Sequence, residues 1–210
     1  MAVSRCVRPK DQWQFDPLSI PNEAQDYSAS ESSHAPTSAD TFSSLAETPW
    51  QTLQMQIAYF LDGEGKDNLL SDALVRCTTL WDSLPTQTLK ESDYKGVMGL
   101  WIATGYGLLE DIEGCLNRLM QVSSSAQLSP ETRFVASEQQ VELYRLLNLR
   151  NEGQQALDHL FDLIDDLHSP LFEARAYLAK ALFFEALDPQ RGQQDRQTAQ
   201  QLATVHGVNL

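Results

Sequence analysis

Histidine and aspartate side chains cluster in residues 158–168, where their spacing could bind a metal ion. His159 and His168 lie among four aspartates in this segment. On a helix, an i, i+4 pair such as Asp162 and Asp166 could bind a divalent cation together with a histidine from another element. No HExxH or ExxH pattern accompanies the pair, and apolar residues hold the opposite side of the same helix. We therefore predict a solvent-exposed acidic face here and no metal site.

Three further segments resemble ligand-binding or catalytic motifs, and each lacks a feature that the chemistry requires. Residues 62–73 have a misplaced glycine for a calcium loop and end on Ala73, where that loop has a bidentate glutamate. The GYG of residues 105–107 has neither the third glycine nor the preceding strand of a nucleotide-binding loop. No G-x-S-x-G is present, and neither Cys77 nor Cys115 has an evident histidine partner. We predict no catalytic residues, no cofactor and no enzyme activity.

The charge of the chain limits the classes of partner. The 210 residues contain 29 Asp and Glu against 15 Lys and Arg. Direct nucleic-acid binding needs clustered Lys and Arg to contact phosphates, so we predict none. An acidic surface favours solubility or a basic protein partner. The three cysteines are odd in number and no two have metal-ligand spacing, which favours a reducing, cytoplasmic location.

Neither a signal peptide nor a membrane span is predicted. The first residues, MAVSRCVRPKDQ, contain no apolar h-region. The charge-free stretch of residues 96–109 has 14 residues and several glycines, whereas a spanning helix needs about 20 apolar residues. A buried helix accounts for this stretch better.

Residues 1–47 have the composition of a disordered tail, followed by a helical-repeat domain over residues 48–210. The tail is rich in Ser, Thr, Pro and acids, and it has too little apolar surface to offset the entropy cost of ordering. Its one apolar island is WQFDPLSIP, which contains Trp13 and Phe15. The island is a chance apolar patch, a strap that packs back on the domain, or a linear motif that docks on a partner.

From residue 48 onward the apolar residues repeat with helical period, and no segment shows sustained strand alternation, so we predict an all-α domain of eight helices. Three helix starts share a hydroxyl N-cap followed by a proline that has no N–H to satisfy. These pairs are Thr48-Pro49, Ser129-Pro130 and Ser169-Pro170. Another odd-numbered helix is predicted to begin near Ser92. The starts are spaced by about forty residues, which indicates a repeat.

The positions of small residues in the even-numbered helices indicate a repeat of the same length. Each even-numbered helix carries a small residue at a matching place, separated from the next by 42, 41 and 43 residues. These residues are Ala73, Cys115, Ala156 and Ala199. The last unit is more polar, as the capping unit of a solenoid is. We predict an α-solenoid of about four antiparallel helical hairpins.

The segment LYRLLNLRNEGQQALDHLF, residues 143–161, resembles the core of a tetratricopeptide-repeat hairpin, with Ala156-Leu157 at the family's Ala-Leu position. YGLLEDIEGCLNRL resembles it less fully, with Cys115-Leu116 at that position. The units are about 41 residues long against about 34 in the family, and Tyr144 occupies a position where the family has a small residue. The family's closing proline is also displaced. The resemblance implies a TPR-like solenoid that binds peptides or protein segments in a groove, and it implies no chemistry.

Candidate partner-binding residues follow from this architecture, because the first helix of each stacked hairpin usually faces the concave side and aromatic and arginine side chains are frequent anchors. On those helices they are Tyr59, Trp101, Tyr106, Gln140, Tyr144, Arg145, Arg175, Tyr177 and Lys180, and in the tail they are Trp13 and Phe15. The alternative is that Trp101, Tyr106 and Tyr177 are core residues and that the two arginines are ordinary surface residues.

The predicted function is therefore a non-enzymatic protein–protein interaction module, such as an adaptor, scaffold, assembly factor or chaperone. Its partner would be another protein or a peptide segment, for which a basic sequence is one option. Association of the chain with copies of itself is a further alternative. The alternative function is an acidic regulatory protein or nucleic-acid mimic that sequesters a basic or DNA-binding partner. In a further hypothesis the acidic tail itself binds in the groove, or binds a basic partner, through Trp13 and Phe15.

Overall fold

A computed structural model describes the backbone from residue 38 to residue 210 and the side chains from residue 49 onward. All regular secondary structure in this part of the chain is α-helical, which confirms the predicted fold class at that level. The helices are α1 (Ser38–Leu61), α2 (Asp67–Ser83), α3 (Leu89–Leu108), α4 (Ile112–Ser124), α5 (Pro130–Leu146), α6 (Arg150–Leu167), α7 (Pro170–Glu185) and α8 (Pro189–His206).

The start of α1 differs from the prediction. The helix begins at Ser38, so Thr48 is not its N-cap and Pro49 lies inside it. An internal proline removes one backbone hydrogen bond but here does not end the helix, and the Pro49 carbonyl accepts a hydrogen bond from the Cys77 thiol at 3.0 Å. Residues 38–47, assigned to the tail by composition, are thus helical. Residues 1–37 lie outside the described part, and the division into tail and domain stays a prediction.

Side-chain caps fix the starts of four other helices, which are α3, α4, α5 and α8. Ser129 accepts a hydrogen bond from the backbone N–H of Thr132 and precedes a proline at the first helical position of α5, as predicted. α7 also begins with a proline, but the Ser169 side chain makes no capping hydrogen bond. α3 begins a few residues before the predicted Ser92, because Thr88 and Glu91 form a capping box.

The helices pack in chain order, with a second set of contacts that separates them into two groups. Each helix packs on its sequence neighbours, and α1 also packs on α3, α3 on α5 and α5 on α7. No comparable contact joins one even-numbered helix to the next among the described residues. The odd-numbered helices therefore form a contiguous layer, and α2, α4, α6 and α8 lie outside it.

Burial follows the predicted small-residue register. Ala73, Cys115, Ala156 and Ala199 are all buried. The leucine that follows the small residue is buried in α2 and α6, whereas the matching Gln200 in α8 is exposed. The predicted alignment therefore identifies the core-facing stripe of each even-numbered helix, and α8 has the more polar surface.

Three of the odd-numbered helices, α1, α3 and α5, end in the same type of turn. The N–H groups of Glu64, Asp111 and Leu149 donate to the carbonyls of Tyr59, Tyr106 and Tyr144 respectively, at 2.8 to 3.0 Å. A left-handed residue precedes each of these donors, namely Gly63, Glu110 and Asn148. This is the Schellman arrangement, in which glycine is the residue that adopts positive φ without strain.

Replacing Glu110 by glycine is therefore expected to stabilise the protein. Glu110 has φ 61°, and a left-handed conformation costs a non-glycine residue on the order of 1 kcal/mol. The urea midpoint of Glu110→Gly should rise by the equivalent of about 1 kcal/mol. The matched change Gly63→Ala, at φ 80° with open space around its Cα, should lower it. An unchanged or lower midpoint for Glu110→Gly would contradict this account of the turn.

Candidate binding surface

The side of α5 that faces away from α4 can be located from the contacts between these two helices. Arg133 donates to a backbone carbonyl of α4 at 3.1 Å, and the Tyr144 hydroxyl lies 3.9 Å from the Met120 sulfur, also on α4. Residues nine apart on a helix lie about two and a half turns apart, on opposite sides. Glu142 is nine residues from Arg133, and Val135 is nine residues from Tyr144. Val135 and Glu142 therefore face away from α4.

The same argument applies to α7, whose outer neighbour is α8. Lys180 forms an ion pair with Asp195 of α8 at 2.9 Å, and the Phe184 ring lies under an arginine of α8. Leu171 is nine residues from Lys180, and Arg175 is nine residues from Phe184. Leu171 and Arg175 are therefore on the side of α7 that faces away from α8.

α3 contributes to the same surface. The Tyr106 hydroxyl lies 3.4 Å from the Thr78 hydroxyl of α2, so Val97, nine residues earlier, faces away from α2. We call the resulting surface the inner face. It consists of Val97, Val135, Glu138, Glu142, Leu171, Arg175, Leu178 and Leu182. All are partly buried except Leu182, which is 36% exposed.

The charges of the inner face are paired across and along its helices. Arg175 of α7 binds both carboxylate oxygens of Glu138 of α5, and Arg145 binds both oxygens of Glu142 at 2.6 and 2.7 Å. The hydrogen bond from Arg145 to Glu142 raises the pKa of Arg145. The side chains of both pairs are 25 to 32% exposed, so each pair contributes at most about 1 kcal/mol. The inner face therefore combines apolar side chains with neutralised charges.

Aromatic rings support one of these pairs. The Arg175 guanidinium lies 5.6 Å from the centroid of the Phe134 ring and 5.7 Å from that of Phe172. The two rings pack edge to face at 4.9 Å. Because Arg175 rests on both rings and binds Glu138, its position is fixed by contacts from α5 and α7.

Two of the predicted binding residues are buried. Trp101 is 9% exposed and packs edge-on against Trp50 at 5.8 Å. Gln140 is 5% exposed and donates to the Ser123 hydroxyl at 2.8 Å. Both side chains lie in the interior because their helix faces contact neighbouring helices, so neither can reach a partner in this conformation.

The other predicted residues are not brought together in one site. Four of them contact outer helices: Tyr106, Tyr144, Tyr177 and Lys180. Tyr59 is exposed on α1. Arg175 lies on the inner face, and Arg145 binds a glutamate of that face. Trp13 and Phe15 lie outside the described residues.

The sequence indicated candidate residue types on the odd-numbered helices but did not assign each residue to a face of its helix. It therefore missed Glu138, Glu142 and the three leucines of the inner face. These residues lie about half a helical turn from the residues of α5 and α7 that contact outer helices. The sequence does not show which residues make those contacts, so it gives no direct signal for this face.

The His159 ring contacts the backbone, and the acids of α6 are exposed to solvent. His159 is directed to a backbone carbonyl of α4 at 3.2 Å, and the four acids of residues 158–166 are exposed on α6, as predicted. No group of three or more His, Cys, Asp or Glu within the described residues could hold a metal ion. No described helix is both long and apolar enough to cross a membrane.

The two described cysteines are expected to be unreactive in the folded protein. Burial raises the pKa of Cys77 to about 11 and that of Cys115 to about 12, from a model-compound value of 9.0. At pH 8 the thiolate fraction of each should fall by a factor of about 100 or more, and the reaction rate should fall with it. With Cys6→Ser as the background, maleimide labelling should be this slow in the native protein and fast in urea. Rapid labelling of both thiols in the native protein would contradict their burial.

No protein-family model, no curated protein and no solved structure matches this chain. The resemblance to tetratricopeptide hairpins thus stays a prediction from the quoted residues. What is established is that residues 38–210 form an all-α fold, in which successive odd-numbered helices contact one another and carry the inner face.

Proposed function

We propose that this protein is a non-enzymatic interaction module that holds a segment of another protein against the inner face. The observation that carries the proposal is the inner face itself, a row of partly exposed leucines and valines on three successive odd-numbered helices. Its two glutamates, Glu138 and Glu142, are already paired with arginines. Apolar surface with a small number of fixed polar groups is typical of a protein-binding site.

The packing pattern supports a TPR-like α-solenoid as the scaffold for this surface. Successive odd-numbered helices contact one another, and no comparable contact joins successive even-numbered helices in the described part of the chain. This pattern is that of hairpins stacked side by side. Stacking of this kind generates an extended concave surface. The polar outer side of α8 agrees with a capping unit at the end of such a stack.

The pairing of charges supports an apolar or amphipathic ligand segment. A ligand that bound chiefly through charge would have to displace Arg175 from Glu138 and from two aromatic rings. A ligand helix or extended strand that placed apolar side chains over Leu178 and Leu182 would leave both ion pairs in place. The net charge of −14 then disfavours acidic segments and favours neutral or basic ones.

Affinity isolation with matched variants tests this proposal. Leu182→Asp places a charge on the inner face at a side chain that is already 36% exposed, and Val205→Asp makes the same change on the exposed side of α8. We expect Leu182→Asp to weaken binding of the co-purifying partner about 30- to 100-fold, because loss of an anchor costs roughly 2 kcal/mol or more. Val205→Asp should bind as the wild type does. Equal binding by all three proteins would contradict the proposal.

A second candidate function is supported by the outer side of α6. Asp158, Asp162, Asp165 and Asp166 are exposed on one helix, as an acidic mimic that sequesters a basic or DNA-binding protein would require. Replacing all four by asparagine should then abolish binding, and Leu182→Asp should have no effect. Binding through these acids would also weaken steeply with salt, which separates the two candidates.

A further inference from the structure

The first hairpin, α1 with α2, has an apolar surface that no described helix covers. Met55, Tyr59 and Leu69 are 47%, 44% and 43% exposed. Met55 and Tyr59 are four residues apart on α1, so they lie on one side of that helix. Tyr59 and Leu69 are both close to the turn that joins the two helices. We call these three residues the free-end face.

The direction of the free-end face follows from the contacts with α3. The Trp50 ring packs on a tryptophan of α3 with centroids 5.8 Å apart, and the Thr78 hydroxyl lies 3.4 Å from a tyrosine hydroxyl of α3. Tyr59 is nine residues from Trp50, and Leu69 is nine residues from Thr78. Each is therefore about half a turn away from the side that faces α3. The free-end face points away from the remaining helices.

The opposite end of the helix series is built differently. From residue 197 to the end of α8 the exposed side chains are mostly polar. They are Gln197, Gln200, Gln201, Thr204 and His206, and Val205 is the one large apolar exception. A series of stacked helical units needs a polar outer face at each end. α8 meets this requirement with its own glutamines, whereas the first hairpin presents a methionine, a tyrosine and a leucine.

We propose that the segment from Trp13 to Ile20 of the same chain packs on the free-end face and serves as its cap. The segment carries the apolar side chains of an otherwise polar stretch, which are Trp13, Phe15, Leu18 and Ile20. Burial of large apolar side chains is favourable, and a short segment already tethered to the domain needs only two or three such contacts to stay docked.

The tether is long enough for this contact. Residues 21–37 could span up to about 56 Å at roughly 3.3 Å per residue, while Ser38 and Met55 are about 26 Å apart along α1 at 1.5 Å per residue.

The charges of the segment and of the first hairpin are complementary. Arg76 lies seven residues from Leu69, on the same stripe of α2, and it forms none of the ion pairs among the described residues. The segment supplies Asp16, and no Lys or Arg occurs between residues 11 and 65.

Photo-cross-linking in the full-length protein tests the contact. p-Benzoylphenylalanine in place of Phe15 is irradiated, and the cross-linked peptides are mapped by mass spectrometry. A mixture of unlabelled and ¹⁵N-labelled protein separates contacts within one chain from contacts between chains. We expect cross-links within one chain to the peptides that contain Met55, Tyr59 or Leu69. Leu69→Lys should reduce their yield about tenfold, because it removes roughly 1.4 kcal/mol or more of apolar contact.

Val75→Lys is the matched control, since Val75 is 63% exposed on α2 and lies about a third of a turn from Leu69 around the helix axis. It should leave the yield unchanged, and circular dichroism should show the same helix content in both variants. Cross-links to the inner face would place the segment there and overturn the proposal. Mixed-isotope cross-links would show that a second copy covers the free-end face, and an absence of cross-links would show that the segment does not dock. The free-end face is separate from the inner face, so these outcomes do not depend on the proposed function.

Discussion

Replacing Phe134 by alanine is expected to lower the free energy of unfolding by about 3–5 kcal/mol, the range for truncating a buried aromatic side chain. Phe134 is fully buried, contacts Phe172 edge to face at 4.9 Å and lies beneath the Arg175 guanidinium. The change would remove the transfer free energy of the ring, leave a cavity between α5 and α7, and release Arg175 from one of its supports. Urea denaturation followed by circular dichroism measures the loss.

Val135→Ala is the control for this prediction. Val135 is the next residue on the same helix and lies partly exposed on the inner face, so its truncation should cost about 1 kcal/mol or less. If the two variants lost equal stability, Phe134 would not be the central packing residue between α5 and α7. Phe134→Ala should also weaken partner binding beyond its effect on stability, because Arg175 and Glu138 lose their fixed geometry.

Replacing Gly192 by valine is expected to destabilise the protein by about 3 kcal/mol through overpacking. A Cβ at Gly192 would lie 3.0 Å from the Ala181 carbonyl oxygen, 3.0 Å from Glu185 Cα and 3.1 Å from Glu185 N. All three neighbours are backbone atoms of α7, so no side chain can rotate to make room. The two further carbons of valine would have to push α8 away from α7.

Gln193→Val is the control, since Gln193 is exposed next to Gly192 and the change alters helix propensity by less than about 1 kcal/mol. Thermal and urea unfolding of the two variants separate the packing cost from the propensity cost. Gly192→Val with the stability of Gln193→Val would show that α7 and α8 do not approach as closely as the structure places them.

The helices and their buried stripes were predictable because they depend on local signals. The serine N-cap and proline at the start of α5 act within one turn, and the register of Ala73, Cys115 and Ala156 records which side of each outer helix is buried. The start of α1 was not predictable in the same way. A proline at a helix start and a proline inside a helix differ only in what precedes them, and the composition of residues 38–47 favoured a tail.

The inner face was less predictable, because it depends on which neighbours each odd-numbered helix contacts. Trp101 and Gln140 have the residue types of a binding site, but packing buries them. Glu138 and Leu182 carry no distinctive local pattern, and they become surface groups of one face when α5 and α7 pack together. Residue type thus indicates candidate helices, and tertiary contacts determine which of their side chains are exposed.

Cross-linking from the inner face tests the central proposal most directly. p-Benzoylphenylalanine is placed at Leu182 on the inner face or at Asp158 on the outer side of α6, and the protein is irradiated in a lysate of its source cells. The proposal predicts that one partner is captured reproducibly from Leu182 and is not captured from Asp158. An excess of unmodified wild-type protein should compete for that partner. Capture from Asp158 alone, or no competed product from Leu182, would show that the inner face is not the binding surface.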